Sequence, residues 1–254
     1  MEELEKAFKD LTRILLGKEL SDIQTYSKWL QENVRLSTEA KSAVSGRIIY
    51  LPYFPFFQAT RDGVVKLDEM EETGRRRIGK KELETLSIGN ATETLRSIKF
   101  YCPEIAYGQN VKVEKATLYG FSSYCDYGEG FLRSKYCAYS MWPRESEYIF
   151  GSDFIFSSRF CLKCYKSENL TRCFEVSHSN SCSDCYFCHN CDNLQECMFC
   201  FNAKSLRYAI GNVEVGKEEY LKVKARILAS IFERLEKEKR LAHSIFNIGC
   251  PKRN

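Results

Sequence analysis

CLKCYKSENLTR (161–172), CFEVSHSNSCSD (173–184), CYFCHNCDNLQE (185–196) and CMFCFNAKSLRY (197–208) follow one another without a gap. Aligned on their first residues, they repeat. The first position is cysteine in each. The second is large and apolar: Leu162, Phe174, Tyr186, Met198 and then Ile210. The fourth, seventh and tenth positions hold only Cys, Ser, Val, Ala or Leu. The first-position column continues upstream through Cys125, Cys137 and Ile149, and downstream to Ala209. A fixed period of this kind marks an architecture in which each unit stacks on the next.

Side chains alternate every two residues on a strand and recur every 3.6 on an α-helix. Neither produces a sustained spacing of three. A backbone that turns four corners in twelve residues does. The first, fourth, seventh and tenth side chains then point inward, and a lumen so narrow admits only small ones. Successive turns pair through the backbone at about 4.8 Å. The fold expected is therefore α+β, a narrow β-helix or solenoid of twelve-residue coils over 83–212. A helical N-terminal region with an exposed charged linker precedes it over 1–82. A C-terminal amphipathic helix and tail follow over 213–254.

Within the first region, Leu4, Phe8, Leu11 and Leu15 lie on one helical face that Gly17 ends. Ser21 is the expected cap of a second helix carrying Ile23, Tyr26, Trp29, Leu30 and Val34. A short third helix is expected over 38–44, then a strand over 47–51 that Pro52 closes. The three-residue rhythm starts faintly at Leu83, Leu86 and Gly89. At the other end, Leu221, Ile227, Leu228, Ile231 and Leu235 form the stripe of a helix expected over 217–246, with Pro251 beyond it. The apolar second-position column is the expected docking face for that helix.

Net charge is +4, too mild to imply nucleic acid by itself. The start, Met1-Glu2-Glu3-Leu4-Glu5, is acidic and carries no signal-peptide pattern, and no apolar run is long enough for a membrane span. A cytoplasmic protein with reduced thiols is the expectation. Thirteen cysteines then point to buried thiols or metal ligands rather than to disulfides.

The inward pattern C-x-x-S-x-x-C-x-x-A resembles the twelve-residue coils of the insect antifreeze β-helix proteins. The resemblance concerns architecture. Antifreeze activity in that family uses threonines flanking the first cysteine, where this chain has Phe160, Arg172, Asp184 and Glu196 on one side and large apolar residues on the other. The family also pairs its first and seventh positions as disulfides, and here only Cys185 and Cys191 fill both within one turn. The segment NCDNLQECMFCFNAKSLRYAIGN (190–212), followed by KEEY (217–220), is similar to Cys-rich repeat proteins of archaea and uncultured bacteria, which have no assigned activity.

Cys182, Cys185, Cys188 and Cys191 are the candidate metal ligands. Their spacing resembles the C-x-x-C-x-x-C-x-x-x-C-P run of ferredoxins, with a shorter last interval and Asp192 in place of proline. Four inward thiolates in one turn could hold zinc, at about 2.3 Å each, or an iron–sulfur cluster. The competing reading treats cysteine as a small apolar filler of the lumen, so that no cofactor is needed. Arg75, Arg76, Arg77, Lys80 and Lys81, with Lys252 and Arg253, form the candidate contact for RNA, the ribosome or an acidic partner. Tyr124, Tyr127, Tyr136, Tyr139, Tyr148, Phe160 and Trp142 stack outward in columns, either under the N-terminal helices or as a surface for a protein partner. Left-handed β-helices with eighteen-residue turns often carry acyltransferase activity, but here the cysteines recur at twelve, and His178, His189 and His243 have no partner constellation. Cys102 and Cys250 lie outside the inward frame. The sequence favours a non-catalytic scaffold or interaction protein within a larger complex.

Overall fold

The architecture is made at corners. From Lys112 to Gly211 every third residue has positive φ, interrupted at Leu118, and the non-glycine ones lie between +46° and +57°. Each of these residues up to Tyr208 directly precedes an inward one. None of the positions is Val, Ile or Thr, which agrees with the steric cost that a branched β-carbon meets in the left-handed region. Between corners the chain is extended. Parallel pairing keeps a register of twelve from Val111↔Ser123 through Cys161↔Cys173 to Cys197↔Ala209. The computed structural model, which describes residues 2–250, is thus a β-solenoid of about nine coils, flanked by an N-terminal helix and a long C-terminal helix.

The lumen holds the expected set. Cys125, Cys137, Cys161, Cys164, Cys173, Cys182, Cys185, Cys188, Cys191, Cys197 and Cys200 are all buried. Serine dominates the earlier turns, and its hydroxyl has a fixed task. Ser134 Oγ donates to the Leu132 and Pro143 carbonyls, at 3.0 and 2.9 Å. A serine hydroxyl also accepts from the inward amide one turn later, as when Ser134 N meets Ser122 Oγ at 3.0 Å. Cysteine keeps part of this pattern: Cys185 Sγ donates to Ser183 O at 3.2 Å. Both residue types therefore satisfy corner backbone inside a dry tube. Gly128 is an inward exception. A Cβ there would lie 2.1 Å from Ser140 O and 2.6 Å from the Phe131 ring, so the glycine makes room for a large neighbour.

The second-position column is covered, but by a different helix from the one expected. The N-terminal helix Glu2–Leu16 lies along it and buries Leu4, Ala7, Phe8, Leu11, Leu15 and Leu16. Phe8 meets Phe150 edge-on at 5.4 Å, and Tyr186 Oη donates to Leu15 O at 3.0 Å. The terminal helix Lys217–Glu238 packs on that helix and on the last turns instead, through Tyr220, Ile231 and Leu235. Tyr220 lies 5.8 Å from Tyr208, and Lys224 pairs with Glu196 at 2.9 Å. This helix stops at Glu238 rather than at 246 because Lys239 adopts φ +56° and returns its amide to Leu235 O, a left-handed cap. The chain then folds back, burying Leu241 and Ile245. Pro251, Lys252 and Arg253 lie outside the described residues.

Four local expectations change. Asp22, not Ser21, caps the second helical stretch by accepting from Thr25 N at 2.9 Å. That stretch is a 3₁₀ turn, Ile23–Tyr26, followed by a short helix, Ser27–Gln31. Residues 38–44 form no helix: Thr38–Lys41 pairs antiparallel with Ile48–Leu51, whose Ile49 and Leu51 join Val64 in a small satellite core. The rhythm at 83–101 is not coil: Lys80–Thr85 and Ala91–Thr94 are short helices, which hold Leu83 and Thr92, and the other residues of the rhythm fall outside them. The coil strands begin at Ile105–Tyr107, and that first turn is one residue longer, with Ile105 opposite Leu118.

The far end of the coil is closed. Val213–Glu214 turns back antiparallel on Arg207–Ile210. Asn212 fills in for the missing next strand, accepting from Phe201 N and donating to Phe201 O, both at 2.8 Å. Glu214 accepts from Arg207 N at 2.8 Å.

Candidate functional site

Cys182, Cys185, Cys188 and Cys191 circle one turn and face the lumen, as their spacing requires. Each sulfur donates to the carbonyl two residues before it: Asn180 at 3.2 Å, Ser183 at 3.2 Å, Tyr186 at 3.5 Å and His189 at 3.3 Å. Hydrogen bonds with neighbouring thiols and burial push Cys185 up, burial pushes Cys191 up to about 11, and the neighbouring Cys185 thiol lowers Cys182. Among the described residues, no three His, Cys, Asp or Glu side chains are grouped so that they could hold a metal ion. The thirteen cysteines are free thiols, with Cys250 exposed and Cys102 half-buried.

The basic cluster begins in the link between two short helices, Met70–Gly74 and Lys80–Thr85. Arg75 pairs with Glu71, and Arg76 with Glu72 at 3.9 Å. Arg77 donates to the Gly74 and Arg76 carbonyls, both at 2.9 Å. Lys80 and Lys81 open the helix Lys80–Thr85 and are exposed. The acidic run at 68–72 thus neutralises part of the charge that the sequence set beside it.

The aromatic columns are half-covered. Tyr124, Tyr136, Tyr148 and Phe160 stack in turn at 5.3, 4.9 and 4.6 Å. Tyr136, Tyr148 and Phe160 pack against the core beneath the N-terminal helix, so this ladder is largely a docking surface for the chain itself. A second column runs Trp142, Phe154, Lys166, His178 at the sixth-position corners. Trp142 and Phe154 stack at 5.4 Å. Arg35 arrives from the N-terminal segment, lies 4.8 Å over Phe154 and holds Asp153 through Nε at 2.9 Å and Nη2 at 2.8 Å.

Two depressions open beside Arg35. One, about 570 Å³, is lined by Phe154, Phe156, Lys166, His178 and Asn180 with Arg35. The other, about 400 Å³, is lined by Asn33, Tyr165, Phe246, Lys166 and His178, again with Arg35. His178 and His189, which show no partner constellation in the sequence, lie together with ring centres 5.2 Å apart, and His189 Nδ1 meets Ser177 Oγ at 2.8 Å. No sequence signal joins Arg35 to Asp153, 118 residues away; the fold alone brings them together.

A charged junction lies behind this groove. Glu175 is fully buried on a corner, and its Oε2 accepts from Ile245 N at 2.9 Å. Lys163, one turn earlier and also buried, donates to Trp29 O at 2.7 Å and Glu32 O at 2.9 Å. Burial raises Glu175 to about 7 and lowers Lys163. One spot of the coil thereby ties down both terminal regions.

The remaining side is bare. At the ninth-position corners, Arg133, Glu145, Ser157, Asn169, Ser181, Asn193 and Ser205 are all exposed, and some of them bridge turns: Arg133 donates to Glu145 and Asn193 to Ser205, both at 3.2 Å. Among the described residues, no helix is long and apolar enough to cross a membrane. No protein-family model, curated protein or solved structure matches the chain.

Proposed function

We propose that this chain is a rigid binding scaffold that presents the bare side of its coil to a protein partner. One observation carries the reading: helices pack on one side of the solenoid, while the ninth-position corners form an exposed polar row along its length. A stack of parallel turns holds such a row at fixed spacing, so a partner meets a surface that loses little entropy on binding. The groove at Arg35 lies at the margin of this side.

The test is site-specific photo-crosslinking in the source cell type. A photoreactive residue at Ser157, Ser181 or Asn193 is expected to capture one recurrent partner, while the same probe at Leu221 on the terminal helix captures none. Equal yields of unrelated adducts from all four positions would refute the assignment of this side.

A further inference from the structure

The two depressions beside Arg35 share three lining residues, Arg35, Lys166 and His178, and each of these carries nitrogen donors. They form a ridge: Arg35 and Lys166 bring its positive charge, and His178, held below the usual histidine value by burial and by His189, adds a neutral ring N–H. Aromatic rings flank it on both sides, with Phe154 and Phe156 in one depression and Tyr165 and Phe246 in the other. Both volumes fall within the range of small-molecule sites, about 300–1,000 Å³. The donors on the ridge are available. Asp153 engages Nε and Nη2 of Arg35, which leaves Nη1. Lys166 and His178 are exposed and make no side-chain hydrogen bond or ion pair among the described residues. Glu168 is the one carboxylate besides Asp153 on the walls.

From this arrangement we infer a binding site for a dinucleotide, with its central phosphates on Arg35, Lys166 and His178 and a planar base in each flanking depression. Guanidinium, ammonium and imidazole donors at one place match a multiply charged phosphate group. The rings left open, Phe156 in one depression and Phe246 in the other, match two bases, because stacking on an aromatic side chain needs no particular base edge. A mononucleotide would fill one depression, and inorganic phosphate would fill neither. The ligand enters from solvent along the coil, so binding requires no opening of the fold.

Isothermal titration of the full chain with diadenosine pyrophosphate, AMP, inorganic phosphate and an octa-adenylate RNA tests this. Diadenosine pyrophosphate is expected to bind at least about tenfold tighter than AMP, since a second stacked base contributes that much or more. Lys166→Ala and His178→Ala, both at exposed positions, are each expected to weaken it about tenfold. Phe156→Ala is expected to weaken AMP and the dinucleotide and to leave phosphate unchanged. If that variant fails to fold, Phe156→Leu keeps the apolar bulk and still removes the stacking face. Three results would overturn the inference: no heat with the dinucleotide at millimolar concentration, an affinity that none of these variants moves, or binding of the RNA without the dinucleotide.

Discussion

Ser157 is the cleanest place to test the corner geometry. It is exposed, its φ is +47°, and its side chain makes no hydrogen bond among the described residues. An L-residue in the left-handed region loses about 1–2 kcal/mol relative to glycine. Glycine returns about 0.5–1 kcal/mol of this through the greater freedom of the unfolded chain. Ser157→Gly is therefore expected to stabilise the protein by about 0.5 kcal/mol. Ser157→Val places a branched carbon at the same corner and is expected to cost about 1–2 kcal/mol. The two variants should differ by about 2 kcal/mol, or about 4–8 °C in Tm for a chain of this size. Gln195 supplies the control. It is equally exposed but starts the strand Gln195–Met198, where valine is favoured over glycine by about 1 kcal/mol. Thermal melts of the four variants should show opposite orders at the two sites. The same order at both would refute the claim that left-handed corners, rather than general tolerance of an open surface, decide which residues stand there.

Three further outcomes follow from the packing. Ellman titration of the native protein should modify Cys250 quickly and Cys102 slowly, and the eleven lumen thiols only after denaturation; fast reaction of more than two would contradict the dry tube. Glu175 is raised by burial from 4.5 to about 7, so the unfolded chain gives up this proton first as pH rises, and folding stability should decline between about pH 4.5 and 7. Glu175→Gln keeps an acceptor for Ile245 N and should flatten that part of the urea-melt profile; an unchanged slope would mean that Glu175 does not carry it. Gly128→Ala should cost about 2 kcal/mol or more because the new methyl meets backbone as well as the Phe131 ring, and pairing it with Phe131→Leu should restore little, since the Ser140 carbonyl stays in place.

The inward frame of the coil was legible because one physical constraint, a tube too narrow for large side chains, acts at every third residue. The sulfurs were legible as lumen residues but not as hydrogen-bond donors, since spacing reports direction and not partners. The corner conformation left a readable trace that the inward pattern overshadowed: positions three, six, nine and twelve of the coil strands lack Val, Ile and Thr throughout. Which helix covers Phe150, Leu162 and Phe174 was not legible. Both terminal helices have an apolar stripe, and stripe strength does not say where a helix docks. The rhythm at Leu83 and Leu86 misled because a few apolar residues three apart set no inward frame: Leu83 stands on a short helix and Leu86 just past its end. The groove at Arg35 was out of reach for a different reason. Its cation comes from the N-terminal segment and its walls from separate turns and the tail, so no local window contains it.

Asn212 and Glu214 have a consequence that extends past one molecule. A stack of identical turns has no intrinsic reason to stop, and a bare final turn would offer a second molecule the same pairing that each turn offers the next. By answering the last amides and carbonyl with side chains, these two residues act as a full stop. They keep the stack a particle of fixed length instead of the seed of a fibre.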